Sequence, residues 1–139
     1  MDFSSINPLG VLLAVLAGFA VNFVWFGPIG VFWIWWEAIG RSRDEQPGAG
    51  MNMGVVFGST IASIVVEVIV LAAVLGGLYE SPSVLQGIGL GVAVGVGVAA
   101  MPSLGHRLFS GQGFKVWLLE VGADIIGAGV MGAVLAAIG

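Results

Sequence analysis

The sequence predicts an all-α fold: an integral membrane bundle of four transmembrane helices, with a Trp-rich interfacial or kinked segment after the first helix. Only 9% of the 139 residues are charged and 58% are hydrophobic, whereas soluble domains carry about 25% charged residues. Four apolar segments reach roughly the 20 residues that a helix needs to cross a bilayer. Small residues recur at four-residue steps within them, which is typical of packed membrane helices. The length allows one domain over residues 1–139.

The four spans have recognisable boundaries. They cover about residues 8–26, 53–78, 83–101 and 113–138. Pro8 follows Asn7, and this order suits a helix N-terminus because Asn caps the first turn and Pro fits inside it. We expect Pro82 and Pro102 to bound the third span, since proline interrupts helical hydrogen bonding.

A Trp-rich segment at about residues 29–39 separates the first span from the second. A continuous helix from Pro8 to Gly40 would be about 50 Å long, which exceeds the bilayer core. The sequence Gly-Pro-Ile-Gly at residues 27–30 should therefore end or kink the first helix. The following segment then lies at the headgroup level, where Trp is favoured, or continues the first helix as a kinked turn. Residues 41–50 form a polar loop.

The basic residues predict the topology. Arg41 and Arg43 lie between the first and second spans, and Arg107 and Lys115 lie between the third and fourth. The positive-inside rule places this side in the cytoplasm of a multi-pass cell-membrane protein. Loops 41–50 and 103–115 are then cytoplasmic, and both termini are outside. At the N-terminus, Asp2 stands where a cleavable signal would carry a positive charge, so we expect the first span to be retained.

Stripes of small residues predict how the helices pack. Four-residue steps keep each stripe on one helix face. The stripes are Gly10, Ala14, Gly18 and Asn22; Gly54, Gly58 and Ala62; Gly87, Gly91, Gly95 and Ala99; and Ala128, Gly132 and Ala136. Small residues allow the close backbone contact that stabilises helices in lipid. There are more stripes than one small bundle needs, so we also expect a homo-oligomer.

Three acidic residues inside the spans are the candidate functional residues. Glu67, Asp124 and Glu120 should lie roughly 20, 16 and 10 Å from the cytoplasmic end, at 1.5 Å per residue. Intramembrane acids are costly and commonly handle protons or ions. We expect Glu67 and Asp124 to handle charge near the midplane, Glu120 to act as an inner relay, and Asn22 and Ser63 to donate hydrogen bonds to them. The only Lys or Arg within the spans is Lys115, at the cytoplasmic start of the fourth span and more than one helical turn from Glu120 and Asp124, so the acids should lack a cationic partner.

Several functions remain open at this point. The leading one is passage or exchange of a proton, cation or small solute at this acidic site. The alternatives are an accessory subunit that packs with itself or another membrane protein, and a membrane-embedded enzyme acting on a lipid, with Glu120 and Asp124 as acid and base. A hard-cation site that adds His106 to the three acids is also conceivable. No cofactor is expected; Cys is absent from the sequence, and the acidic balance argues against nucleic acid.

The chain resembles an uncharacterised family of small four-helix membrane proteins, number 1761 among the domains of unknown function. The resemblance rests on the order and spacing of loose motifs along nearly the whole chain. These are Ile6-Asn7, Trp25-Phe26-Gly27-Pro28, the Gly-rich third span, Leu108-Phe109-Ser110-Gly111, Gly122 and Met131-Gly132-Ala133. The chain departs from similar proteins at Glu120 and Asp124, where they often carry Asn and His. The resemblance implies a bacterial or archaeal cell-membrane protein and supplies no activity.

Overall fold

The computed structural model describes residues 6–139, and this part of the chain is helical without any β-strand. Its helices are α1 (Pro8–Trp25), α2 (Phe32–Ala38), α3 (Met53–Leu78), α4 (Val84–Val94), α5 (Met101–Phe109) and α6 (Gly113–Ile138), with a π-helical turn at Gly95–Ala100. The expected all-α bundle is confirmed. The expectation that rests on Asp2 falls outside the described residues.

Within residues 6–139, four helical stretches are long and apolar enough to cross a membrane. They are α1, α3, the continuous stretch Val84–Phe109 and α6. Because a helix satisfies all its backbone hydrogen bonds internally, such stretches are stable in hydrocarbon. The chain is therefore a multi-pass membrane protein, and its helices contact lipid.

The bundle has two distinct ends. At the terminal end, where α1 begins and α6 finishes, the Asn7 side-chain amide donates to the Ile138 carbonyl oxygen at 3.0 Å. At the basic end, which carries the four Lys and Arg residues, the Trp25 indole donates to the Leu119 carbonyl oxygen at 2.7 Å. These two contacts hold α1 antiparallel to α6 along its whole length.

Helix α6 is the centre of the bundle and packs most closely on α4 and α1. Gly87 and Gly91 of α4 face Gly132 and Ala128 of α6, and a Cβ added at either α4 glycine would overlap an α6 carbonyl group. The two backbones therefore touch, as small-residue stripes in membrane helices permit. On α1, the small residues Gly10, Ala14 and Gly18 are likewise buried.

We expected the third span to end at Met101, just before Pro102. This expectation is wrong, because the helical stretch continues to Phe109. Proline lacks an N–H and its ring crowds the carbonyl four residues earlier. The π-turn just before it widens the backbone: the Met101 N–H bonds to the Val96 carbonyl, five residues back. Pro102 is then accommodated in the first turn of α5, where a missing N–H costs little.

The π-turn also changes which residues face α6. Gly87, Gly91 and Gly95 are buried at four-residue steps, but the next buried residue is Ala100, whereas the expected Ala99 is exposed. A π-turn contains one residue more than an α-turn. The extra residue rotates α5 by roughly 100° relative to a continuous α-helix, which directs Arg107 towards α6.

Helix α2 is a separate short helix at the basic end. The first helix ends at Trp25, and the following turn is closed by hydrogen bonds from Gly30 N–H to Gly27 and from Val31 N–H to Trp25. Trp36 is buried, and its indole donates to the Ser42 carbonyl oxygen at 2.7 Å. The Gly-Pro break thus reverses the chain and packs the Trp-rich segment against the bundle end.

The polar loop after α2 is organised by Glu45. Its carboxylate accepts from the Ser42 N–H at 2.9 Å and from the Arg41 guanidinium at 2.8 Å. The Ser42 backbone hydrogen bond and then the Arg41 side chain lower the pKa of Glu45 below its ordinary value. A second exposed pair joins Arg43 to Glu37 at 2.7 Å.

Candidate functional site

One stripe of α6 changes from apolar and buried to acidic and exposed. Leu135, Met131 and Ala128 are buried against the core that they form with α1 and α3. Asp124 continues the same stripe one turn closer to the basic end, and it is exposed. The core therefore stops between Ala128 and Asp124.

Helix α3 stops packing at the same level. Its buried residues all lie between Ile64 and Leu75. From Met53 to Ser63, every residue is exposed except the half-buried Val56. The basic half of α3 thus stands away from the rest of the described chain.

We call the exposed region beside the basic half of α3 the acidic cleft. It contains the exposed residues Thr60 and Ser63 of α3 and Asp124 of α6, together with the half-buried Glu67. The buried apolar core lies on its terminal side.

Glu67 and Asp124 lie next to the core, at the terminal side of the acidic cleft. Glu67 is half-buried, and the two carboxylates lie close enough for their charges to interact. Among the residues that the structure describes, neither carboxylate accepts a hydrogen bond or forms an ion pair. An unpaired carboxylate in a membrane span has a strong tendency to take up a proton or a cation.

Glu120 is different, and the expectation that it lacks a cationic partner is wrong. Its carboxylate lies 2.6 Å from Arg107 Nε and accepts from the Trp35 indole at 3.0 Å. Arg107 also donates to Gln112 Oε1 at 2.8 Å. This cluster of Trp35, Arg107 and Glu120 is named the latch here, because it ties α2 and α5 to α6.

The latch includes two functional candidates that the sequence analysis missed, Trp35 and Arg107. Arg107 and Glu120 flank the short connection at residues 110–112, so an antiparallel hairpin would bring them together. The assumption that Pro102 ended the third span placed Arg107 in a loop and obscured this signal.

Asn22 and Ser63 do not bond to the acids. The Asn22 amide donates to the Gly18 carbonyl oxygen of its own helix at 3.2 Å, and the Ser63 hydroxyl donates to Thr60 O at 2.8 Å. Asn22 is half-buried and Ser63 is exposed. Serine hydroxyls commonly satisfy themselves within a helix in this way, so the expected hydrogen bonds to the acids are absent between these described side chains.

The conceivable hard-cation site is not assembled. Within residues 6–139, no three His, Cys, Asp or Glu side chains come together as metal ligands. His106 is exposed on α5, one residue from the position that the π-turn directs towards α6.

Two further indoles brace the basic end around α6. Trp117 donates to the Ala100 carbonyl oxygen at 3.0 Å and contacts Ser103 Oγ at 3.2 Å. Trp25 packs over Gly122, where an added Cβ would lie 2.7 Å from its ring. The part of α6 between Asp124 and the basic end therefore packs against α1 and α5, whereas the basic half of α3 does not pack against it.

The family model described as "Protein of unknown function (DUF1761)" matches residues 9–136. The chain belongs to this family. The match spans all four transmembrane stretches, so the acidic cleft and the latch lie within the family's domain. Neither a curated protein nor a solved structure matches the chain.

Proposed function

We propose that this family member binds a proton or small cation at Glu67 and Asp124 as one step in exchanging it across the membrane. The observation that carries the proposal is the position of these acids at the edge of the core. Exposed residues of α3 lie towards the basic end, and buried apolar residues lie towards the terminal end. A site that is open on one side at a time is the basis of exchange, whereas a continuous pore would conduct freely.

The ligand class follows from the charges at the cleft. The two carboxylates lack a cationic partner among the described residues, and the nearest ion pair, in the latch, uses Arg107 for Glu120. Removing a charge from water into this partly enclosed site is favourable only when an opposite charge accompanies it. A proton or a cation meets that need, and an anion does not.

The positive-inside rule gives the proposal a direction. With the four basic residues on the cytoplasmic side of a cell membrane, the acidic cleft opens to the cytoplasm. The chain contains no cysteine, so single thiols can report this directly. Ser42→Cys should react with an impermeant thiol reagent only from the cytoplasmic side. Labelling from the outside would reverse the assignment.

The function is tested by flux into liposomes that hold the purified protein. We expect proton or monovalent-cation flux from the wild type and its loss in the double variant Glu67→Gln, Asp124→Asn. The matched control is Glu37→Gln, Asp44→Asn, which removes two negative charges at exposed positions outside the spans. The control should retain wild-type flux. Equal flux from the acid variant and the wild type would refute the proposal.

A second candidate function, that of a self-associating or accessory subunit, is favoured by the uncovered half of α3. Gly58 has open space where a Cβ would stand, and Gly54 meets only its own N-cap, Asn52. A Cβ at position 58 meets no other part of the described chain, so we expect Gly58→Leu to leave the monomer folded. If this face packs against a second copy, Gly58→Leu should abolish a dimer seen by crosslinking in membranes. An unchanged crosslinking pattern would exclude this face from self-association.

A further inference from the structure

A second cavity lies at the terminal end, between α1, α3 and α6. Its volume is about 360 Å³, and it is open to the outside of the bundle. The side chains that line it include Asn7, Ala72, Leu75, Tyr79, Glu80 and Leu135. We call it the terminal cavity. It is large enough for a hydrated small cation or several waters, since one water occupies about 30 Å³ of liquid.

The lining of the terminal cavity suits a cation. Glu80, an acidic residue, and Tyr79 are among its described lining residues, and no Lys or Arg is. A mouth of this sign concentrates cations and repels anions. Cations are also the ligands that we propose for the acidic cleft, which lies on the other side of the core.

Only a thin apolar layer separates the two openings. Ala72, at the inner limit of the cavity, is five residues from Glu67, which is about 8 Å along α3. Val68, Leu71 and Met131 fill this interval and are 0%, 2% and 3% exposed. A layer about two side chains thick therefore separates the terminal cavity from Glu67.

We propose that the terminal cavity is the second entrance for small cations to the Glu67–Asp124 site, and that the layer of Val68, Leu71 and Met131 is the closed gate between them. This inference rests on the proposed function and adds its second access route. Small movements of packed helices can open such a layer without unfolding it, because its members belong to two different helices, α3 and α6.

The entrance is tested by thiol accessibility on the cysteine-free chain. Ala72→Cys lines the cavity, whereas Val70→Cys lies at the same depth and is 41% exposed outside the cavity. A small cationic methanethiosulfonate added from the terminal side should modify Ala72→Cys severalfold faster than Val70→Cys. It should also react faster than an anionic reagent of similar size. Equal rates at the two positions, or faster reaction of the anion, would overturn the proposal.

The gate is tested by one pair of truncations. Val68 and Val116 are both 0% exposed, but only Val68 lies in the layer. We expect Val68→Ala to raise proton or cation flux severalfold and Val116→Ala to leave it unchanged. The rise should disappear when Glu67→Gln and Asp124→Asn are added.

The outcomes separate the two proposals. Wild-type flux that depends on the acids, with Val68→Ala equal to Val116→Ala, overturns the gate and leaves the proposed function standing. Flux that is insensitive to the acid substitutions overturns the proposed function itself. In that case, reactive Ala72→Cys would still establish a solvent-filled cavity, but not an entrance to the acids.

Discussion

The latch offers the sharpest energetic prediction, because each of its members has a defined partner. In Arg107→Met the hydrophobic stem remains, but the Glu120 carboxylate keeps only the Trp35 indole. The side chains of Arg107 and Glu120 are 38% and 20% exposed. The pair thus lies between exposed ion pairs, worth about 0–1 kcal/mol, and buried ones, whose disruption costs about 3–5 kcal/mol. We expect Arg107→Met to lower the free energy of unfolding by about 2 kcal/mol.

Substitution of the other partner, Glu120, should lower the free energy of unfolding by less. In Glu120→Gln the side-chain oxygen still accepts from Trp35, and Arg107 retains its bond to Gln112 at 2.8 Å. The loss should be about 1 kcal/mol. The double variant should be more stable than the sum of the single changes indicates, with a coupling energy of about 1–2 kcal/mol.

The assay is equilibrium unfolding of the purified protein in mixed detergent micelles. Arg43→Met is the matched control, because Arg43 also pairs with a glutamate at 2.7 Å, but both side chains are more than half exposed. Its effect should stay below about 1 kcal/mol. A coupling energy under about 0.5 kcal/mol for Arg107 and Glu120, or equal losses for the two arginines, would refute the assigned role of the latch.

Three further predictions concern packing, register and pH. Gly91→Ala should destabilise the protein by about 1–3 kcal/mol because its Cβ would overlap an α6 carbonyl, whereas Gly89→Ala on the same helix has open space and should be neutral or mildly stabilising, as thermal unfolding will show. Deletion of Ala99 combined with Pro102→Ala should leave a folded protein. The deletion replaces the π-turn by an α-turn, so Ala100 then follows the buried Gly95 by four residues instead of five. Loss of the helical circular dichroism signal would contradict this. The pKa of Glu45 is lowered in the folded protein, so its carboxylate should stabilise the loop at a pH above the ordinary glutamate pKa. The loop should lose this stabilisation as the pH falls through the lowered pKa, and amide chemical shifts of the loop will report the change.

Most of the fold could be predicted from composition and spacing. Hydrocarbon tolerates only segments that satisfy their own backbone hydrogen bonds, so apolar runs of about 20 residues or more with few charges are expected to be helices. The bounds of α3 and α6 agree with this expectation, and so does the break after Trp25. The exception is the third stretch, where Pro102 is a helix terminator by local rules. Packing against α6 and the π-turn outweigh that local preference, so the helix continues.

The candidate site was predictable only in part. The rarity of acids in membrane spans pointed to Glu67, Glu120 and Asp124 at once. Spacing along one helix does not state what lies opposite on another, so the partner of Glu120 and the lack of hydrogen bonds from Asn22 and Ser63 were not predictable. The burial of a stripe is equally non-local: Ala128 and Asp124 share one face of α6, and the packing of the neighbouring helices leaves the first buried and the second exposed.

The sequence by itself determined that this protein is a four-span helical membrane protein with acids inside its spans. That information is local, since it depends on the polarity and length of each segment against the bilayer. The tertiary structure alone decided that Arg107 rather than His106 faces Glu120, because one extra residue in the π-turn rotates α5. It also decided that Glu67 and Asp124 lie at the edge of the core and are not fully buried, because the buried part of α3 begins only at Ile64. Both outcomes depend on where helices distant in sequence meet, and no single segment encodes that.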